Sequence, residues 1–176
     1  MSVLARFLDR SGADGIAIEP MRRRHVGQGL EIERASYPRP WTMTVFHDEL
    51  DQVGAGLRHY VVAKLGRAVV GYAGLMFVVD EAHVTNVAVH PDHRRRGIAT
   101  RLMLELADVA IRRRCVAWTL EVRASSTGAQ ALYRAFGFVP AGVRAKYYEN
   151  SEDAIVMWCH DIQEPAYAER LAGLRQ

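Results

Sequence analysis

A single junction between residues 87 and 100 sets narrow limits on how this chain can fold. Val87-Ala88-Val89 is typical of a buried strand end, and Pro91 marks its limit. A basic turn with Gly97 follows, and beyond it apolar residues recur every three or four positions. The pattern predicts a strand that leads through a short turn into the N-terminus of an amphipathic helix.

The start of this helix has the chemistry of an anion-binding site. The first N–H groups of a helix lack backbone partners and carry the positive end of its dipole, so a phosphate can accept hydrogen bonds from them. Gly97 lets the backbone approach an anion closely, and the arginines at 94–96 add positive charge. A solvated basic turn is the alternative interpretation, but the register of the flanking strand and helix favours the anion site.

The helix after the turn has one apolar and one polar side, which predicts packing against a sheet. Its two apolar rows are Ile98, Leu102, Leu106 and Ala110, and Ala99, Met103 and Ala107. The turn has neither the glycine and lysine spacing of a Walker loop nor the three glycines of a dinucleotide fingerprint. Nucleoside triphosphates and NAD are therefore poor candidates for the ligand.

This junction resembles a motif of a known family. Arg94-x-x-Gly97-x-Ala99 after Val87-Ala88-Val89 is similar to the pyrophosphate-binding motif of the GCN5-related N-acetyltransferases (GNAT), whose cosubstrate is acetyl-coenzyme A. Many members have glycine where this chain has Ala99. The resemblance runs from about Ile16 to about Ile162.

Two later blocks extend the resemblance. One comprises residues 120–125, Ala131-Leu132-Tyr133 and Phe136-Gly137-Phe138. The other, Tyr147-Tyr148 followed by residues 152–157, is similar to the RimI branch, which acetylates the N-terminal alanine of the eighteenth small-subunit ribosomal protein. The resemblance thus implies an N-alpha-acetyltransferase that works by direct transfer, without a covalent enzyme intermediate.

Glu121 and Tyr133 are the catalytic residues that the resemblance implies. Glu121 lies in an otherwise apolar strand segment, where partial desolvation is expected to raise its pKa towards that of a general base. Its alternative role is an ion pair with Arg123, two residues along on the same strand face. By periodicity Tyr133 belongs to the core, whereas the resemblance implies the general acid that protonates the coenzyme A thiolate.

The resemblance also implies a set of residues that bind the cosubstrate. Val87 and Val89 would offer backbone groups to the pantetheine arm where neighbouring strands part, and the turn would bind the pyrophosphate through main-chain N–H groups. Many family members have asparagine where this chain has Ser126, so helix capping is the alternative role there. The full set is Val87, Ala88, Val89, Arg95, Arg96, Gly97, Ile98, Ala99, Thr100 and Ser126.

The fold class predicted from these patterns is α/β (α+β), a single GNAT domain with a mixed, mostly antiparallel sheet flanked by helices. Residues 1–15 are expected to be a flexible extension, 16–162 the domain, and 163–176 a tail in which Pro165 can begin a helix. The predicted strands are 16–19, 60–64, 68–79, 83–89, 116–123, 138–147 and 153–160. The predicted helices are 22–35, 42–50, 97–113 and 127–136.

Composition limits the partners and the compartment. The formal charge of +3 is too small for a dedicated nucleic-acid binder, and no export signal or membrane-length apolar segment is expected. Cys115 and Cys159 are too few for a disulfide framework, which predicts a cytoplasmic protein. Cys159-His160 is an unsuitable metal pair because adjacent strand residues face opposite sides, so no metal is expected.

The acceptor is less constrained than the cosubstrate. The loop 37–41 and the segment 144–148 are where the RimI branch would bind an incoming peptide terminus, and aromatic rings with backbone donors suit an extended chain. Either segment could equally be a stiff surface loop or a strand end. Acetylation of lysine, a polyamine or another small amine stays open, as do a catalytically silent acyl-coenzyme A-binding module and any oligomeric state.

Overall fold

The computed structural model describes residues 14–176, so the predicted extension at 1–15 lies almost entirely outside the described part of the chain. Within that part are seven strands and five α-helices. The strands are β1 (Ile16–Pro20), β2 (Arg58–Leu65), β3 (Ala68–Val78), β4 (Glu81–Val89), β5 (Ala117–Arg123), β6 (Val139–Tyr148) and β7 (Glu152–His160). The helices are α1 (Val26–Ser36), α2 (Met43–Gly54), α3 (Ile98–Arg112), α4 (Thr127–Ala135) and α5 (Pro165–Leu174).

The strands form one mixed sheet in the order β1-β2-β3-β4-β5-β7-β6. Two-residue turns join β2 to β3 and β3 to β4, a connection that only antiparallel neighbours allow. β4 and β5 are parallel neighbours, and α3 lies in the connection between them. β7 pairs antiparallel with β5 on one side and with β6 on the other. The predicted class, a mixed and mostly antiparallel sheet with helices, is confirmed.

The described chain divides into two compact units. The first contains the described residues up to Gly74 together with Asn86–Glu105, and the second contains Leu75–Thr85 and Leu106–Gln176. The first unit has its own hydrophobic core, drawn from its strands, α1 and α2. That core comprises Met21, Val26, Leu30, Ile32, Phe46, Tyr60, Val62, Val69, Tyr72 and Ala88.

The core of the second unit is built around Trp118. Its ring lies 4.8 Å from that of Phe138 and 6.2 Å from that of Phe136, between centroids. In the C-terminal tail, α5 buries Tyr167 and Leu171. The predicted tail helix is therefore present, and its apolar side is packed within this unit.

The main differences from the predicted boundaries lie at helix ends. The helix predicted at 22–35 begins as a 3-10 turn over Arg23–His25, where the ring of His25 accepts a hydrogen bond from the N–H of Arg22. Thr42 caps α2 by accepting a hydrogen bond from the N–H of Val45, but the end predicted at Leu50 is wrong. The helix continues to Gly54, because no helix-breaking residue comes earlier. None of the helices in residues 14–176 is long and apolar enough to cross a membrane.

Candidate active site

The turn before α3 presents a cradle of backbone N–H groups in the first unit. Arg95 and Gly97 both have positive φ, 61° and 71°, so the chain bends sharply there. The first backbone bond at the helix start runs from the N–H of Arg101 to the carbonyl of Gly97, at 3.1 Å. The N–H groups of residues 98–100 therefore project from the helix end. A Cβ built on Gly97 meets no atom of the described chain within 4 Å, so space is open beside them.

The three arginines of the turn have different roles. Arg94 folds back, donating from Nε to the carbonyl of Val89 at 3.1 Å and from its guanidinium to the hydroxyl of Ser36 at 3.3 Å. It therefore stabilises the turn itself. Arg95 and Arg96 are exposed beside the helix start, and they provide the positive charge that an anion there would meet.

Val87 and Val89 lie on β4 beyond the segment that pairs with β5. The pairing of β4 with β5 covers only Glu81–His83 and Ala117–Thr119, and both strands continue past it. The carbonyl of Val87 accepts a hydrogen bond from the hydroxyl of Tyr37 at 3.1 Å, and that of Val89 accepts the one from Arg94. Both carbonyls thus already have donors, while the side chain of Ala88 is buried in the core.

Glu121 lies in a cavity of the second unit. The cavity has a volume of about 210 Å³, and apolar side chains on its walls accompany a small group of charged ones. The side chain of Glu121 is 11% exposed, so its carboxylate is largely shielded from solvent yet faces the cavity. The lining residues are Val78, Glu81, Ala82, His83, Thr119, Glu121, Arg144, Val156 and Trp158.

Two basic side chains hold the carboxylate of Glu121. Nε2 of His83 lies 2.8 Å from Oε2, and the guanidinium of Arg144 lies 3.3 Å from Oε1. The hydrogen bond from His83 and the positive charge of Arg144 lower the pKa of Glu121, outweighing the effect of burial. The expectation of a raised pKa is wrong, because desolvation is opposed by partners on neighbouring strands.

Arg123 is not the partner of Glu121, so that alternative is also wrong. Its guanidinium donates to Glu149 at 2.7 Å and to Glu152 at 3.0 Å, and it stacks over the ring of Tyr148 at 4.2 Å. The hydrogen bonds to Glu149 and Glu152, and the negative charges of those two residues, hold the pKa of Arg123 above its ordinary range. Arg123 therefore fastens the turn between β6 and β7, and leaves Glu121 to other partners.

Tyr133 and Ser126 lie at two positions of α4. Tyr133 is 8% exposed, and its ring centroid lies 6.0 Å from that of Phe138, so it is part of the buried side of the helix. Ser126 occupies the N-cap position, but in the described chain its side chain makes no capping hydrogen bond. The capping role considered for Ser126 is therefore wrong. The amide of Gln130 instead donates to the carbonyls of Arg123 and Ala124 just before the helix.

The two segments expected to bind an acceptor are both held in place. In the first unit, the N–H of Trp41 donates to the carboxylate of Glu33 at 2.7 Å, which anchors the loop 37–41. In the second, β6 bulges between Arg144 and Tyr148, where β7 advances by two residues while β6 advances by four. The N–H of Lys146 in the bulge donates to Asp153 at 2.9 Å.

Sequence reasoning missed His83 and Glu33. His83 alternates with apolar residues at the start of β4, a pattern that indicates a polar strand face but no partner. Glu33 is a carboxylate on the apolar side of α1, flanked by the buried Ile32, and such a position signals a buried polar network. Either pattern could have marked its residue as a candidate for a buried polar interaction, but neither pattern identifies the partner of that residue.

Neither cysteine of the chain is part of these arrangements. Cys115 and Cys159 are both buried and free, and burial raises the pKa of each thiol. They are therefore poor nucleophiles. In residues 14–176, no cluster of three or more His, Cys, Asp or Glu side chains has the arrangement of a metal site.

Comparison with known proteins agrees with this geometry. Residues 27–138 match the Acetyltransferase (GNAT) family. The chain belongs to the GNAT family of acetyltransferases, and it is an enzyme of the N-acetyltransferase class.

Curated relatives at 34–40% identity belong to the RimI group. The ribosomal protein bS18-alanine N-acetyltransferase of Escherichia coli (strain K12) is 34% identical over 129 residues, covering 72% of this chain and 84% of that protein. The N-alpha-acetyltransferase RimI of Mycobacterium tuberculosis is 40% identical over 123 residues, covering 67% and 74%.

A solved structure gives the same result for the fold. The crystal structure of the ribosomal-protein-S18-alanine N-acetyltransferase from Escherichia coli aligns with a TM-score of 0.75 at 29% identity. The alignment covers 83% of this chain and 94% of that one. The GNAT fold expected from the sequence is thus confirmed.

Proposed function

We propose that this chain transfers an acetyl group from acetyl-coenzyme A to the N-terminal amine of a protein, the acceptor being the N-terminal alanine of the eighteenth small-subunit ribosomal protein. The observation that carries the proposal is the ionised, shielded carboxylate of Glu121 facing an open cavity. An amine acceptor arrives largely as a cation, because a free α-amino group has a pKa of about 8. A carboxylate in such a cavity attracts that cation and can accept its proton as the general base.

The turn before α3 fits the diphosphate of the cosubstrate. It offers projecting N–H groups at residues 98–100, open space beside Gly97, and the exposed side chains of Arg95 and Arg96. Hydrogen bonds from such groups to a phosphate need no further side chain. When bound, the thioester would supply the activated acyl carbon that the amine attacks.

Two side chains of the second unit complete the proposal. Glu121 provides the base function for the acceptor amine, and Tyr133 provides the proton for the departing sulfur. A phenol and a thiol have ordinary pKa values of about 10 and about 8.5, so this proton transfer is feasible. Ser126, Val87, Ala88 and Val89 remain in the proposed set of cosubstrate-binding residues.

The relatives support the choice of acceptor. The two curated proteins described above are named for N-alpha or ribosomal-alanine acetylation, and each is at least 34% identical to this chain. The ribosomal acceptor implies that the enzyme works in the cytoplasm, a location also expected from its two unpaired cysteines. No metal and no nucleic-acid contact enter the proposal.

An intact-mass assay tests this function. The full chain is incubated with acetyl-coenzyme A and, separately, with peptides that begin Ala-Arg, begin with Met, or carry a blocked N-terminus and an internal lysine. We expect the Ala-Arg peptide to gain the mass of one acetyl group. Acetylation of the lysine peptide alone would contradict the proposal in favour of a side-chain acceptor. Cosubstrate binding without turnover of any amine would indicate a binding module.

A further inference from the structure

We propose that Arg144 is a displaceable counter-ion: in the free enzyme it holds the oxygen of Glu121 to which the acceptor ammonium binds, and it moves aside as the acceptor enters. This inference rests on the proposed function, keeps Glu121 as the base, and assigns a positioning role to Arg144. The geometry that carries it is the ion pair on the wall of the cavity, with 3.3 Å between the guanidinium of Arg144 and Oε1 of Glu121.

The two oxygens of Glu121 are held unequally. Oε2 lies 2.8 Å from Nε2 of His83, the usual length of a hydrogen bond to a charged group. Oε1 lies 3.3 Å from the guanidinium of Arg144, which is longer than that length. The side chain of Arg144 is also 54% exposed, against 26% for His83. An incoming cation therefore displaces Arg144 more readily than His83, and Oε1 is the oxygen that it reaches.

The place of Arg144 in the sheet leaves its side chain room to move. In the described chain β6 is the last strand of the sheet, so it has a neighbour on one side only. Arg144 pairs with Ala154 on β7, and the next pair is Tyr148 with Glu152, so a bulge begins directly after Arg144. A bulge interrupts the ladder and bends its strand. The side chain of Arg144 can therefore rotate without disturbing the paired part of the sheet.

A second partner for the guanidinium lies on the same strand. The guanidinium carbon of Arg144 is 5.5 Å from the centre of the Tyr147 ring, and Tyr147 is 49% exposed. A cation within about 6 Å of an aromatic ring is attracted to its face. When Arg144 leaves Oε1, it can close on this ring and regain part of the attraction that it has lost. The ring thus lowers the free energy needed for the exchange.

The exchange keeps a positive charge beside the ionised carboxylate. Glu121 is only 11% exposed, and a shielded carboxylate without a counter-charge is costly. The acceptor ammonium replaces the guanidinium at Oε1 and then gives its proton to that oxygen, while the electron pair of the broken N–H bond stays on the amine nitrogen. The acetylated product is neutral and cannot hold the carboxylate once the proton has left for water. Arg144 then returns to Oε1.

The proposal predicts the direction in which KM changes when Arg144 is removed. A residue that only bound the peptide, as expected for the segment 144–148, would raise KM when it is lost. Loss of a competing counter-ion should lower KM, because the competitor and its repulsion of the ammonium disappear together. A purely structural role for Arg144 gives no reason for KM to fall.

The test compares Arg144→Gln with Arg67→Gln in the full chain. Arg67 is exposed in the turn between β2 and β3, so the two variants lose the same charge. With the N-terminal peptide as acceptor, we expect Arg144→Gln to lower KM by about two- to fivefold, the effect of an exposed ion pair, and to change kcat less. Arg67→Gln should retain the wild-type KM. Arg144→Lys keeps the charge and should bring KM back towards the wild-type value.

A measurement on the unaltered protein follows the exchange directly. In protein labelled with ¹⁵N-arginine, the Nε signal of Arg144 is assigned by its loss in Arg144→Lys. We expect this signal to shift when the peptide with a free amine is added together with coenzyme A. The same peptide with an acetylated N-terminus should leave the signal in place, because it brings no cation to Oε1.

Two results would overturn the proposal. One is an unchanged or raised KM in a folded Arg144→Gln variant, and the other is an Arg144 signal that responds to neither peptide or equally to both. In either case, turnover of the peptide by the wild type would leave the proposed function standing. A wild type that acetylates no N-terminal peptide would refute the proposed function and this proposal with it.

Discussion

The carboxylate of Glu33 joins Trp41, the last residue of the loop 37–41, to the interior of the first unit. One oxygen accepts the N–H of Trp41 at 2.7 Å, and the other accepts the hydroxyl of Tyr72. Burial, and then the adjacent carboxylate, hold the pKa of Tyr72 well above its ordinary range, so its hydroxyl keeps the proton that it donates. Asn86 completes the network by donating to Tyr72 at 2.7 Å. A loop expected to meet the acceptor is thus fixed by a buried hydrogen-bond network.

Replacing Glu33 by glutamine is expected to destabilise the protein. Both carboxylate oxygens accept hydrogen bonds, and an amide can accept with only one of its two ends, so one buried donor loses its partner. The cost of such an unsatisfied group is about 1–3 kcal/mol in the free energy of unfolding. Urea denaturation measures it. The matched control is Glu31→Gln on the exposed side of the same helix, and equal stability of the two variants would contradict this network.

Arg123→Gln is expected to loosen the turn between β6 and β7. Arg123 makes charge-assisted hydrogen bonds to Glu149 and Glu152, and its loss should lower the free energy of unfolding by about 1–3 kcal/mol. Because the bulge near Arg144 belongs to the same hairpin, KM for the peptide acceptor should rise more than kcat falls. Steady-state kinetics and urea unfolding check both effects.

The control for this variant is Arg123→Lys. Lysine retains the charge but not the planar fork that reaches two carboxylates, so an intermediate loss of stability is expected. If the lysine variant were as unstable as the glutamine variant, charge would contribute nothing to the turn. If both variants matched the wild type in stability and in KM, the hairpin would not depend on Arg123.

The sequence predicted the elements of this fold well because their signals are local. The alternation of apolar residues in β5 and the helical spacing in α3 each depend on neighbours within a few positions. Gly137, just after α4, has a φ of 92°, a conformation that glycine adopts without strain. The sequence predicts the positions of helix ends less accurately, as α2 shows. Residues with no strong preference for or against a helix can extend it at little cost in free energy.

The partners of the buried carboxylates could not be predicted in this way. Glu121 meets His83 across 38 positions of sequence, and Glu33 meets Asn86 across 53. Alternation tells which face of a strand a residue occupies, but the register between two strands decides which residue lies opposite. The sequence alone therefore offers the neighbouring Arg123 as a partner of Glu121, whereas in the structure Arg123 pairs with Glu149 and Glu152 at the turn.

Gly97→Glu is expected to weaken binding of coenzyme A at the turn before α3. Space is open beside Gly97, so a glutamate there would place a negative charge where the diphosphate is proposed to bind. Repulsion of about 1–4 kcal/mol between like charges at short range corresponds to a rise in Kd of about fivefold or more, measured by calorimetry. Gly97→Ala imposes the same strain of a side chain at positive φ without the charge, and it should change Kd far less. Unchanged affinity in the glutamate variant would rule out an anion site here.

The lowered pKa of Glu121 predicts how its contribution to stability depends on pH. The hydrogen bond from His83, and then the charge of Arg144, favour the ionised carboxyl group in the folded state. A group whose pKa is depressed by folding contributes stability above its unfolded value, and that contribution is lost as the pH falls through the folded pKa. The difference in unfolding free energy between the wild type and Glu121→Gln should therefore be constant near neutral pH and shrink on acidification below the ordinary range of a glutamate. Urea unfolding at a series of acidic pH values measures this difference, with the exposed Glu169→Gln as the control that should show no such trend. A difference that grew on acidification would mean that burial, rather than His83 and Arg144, governs the carboxylate.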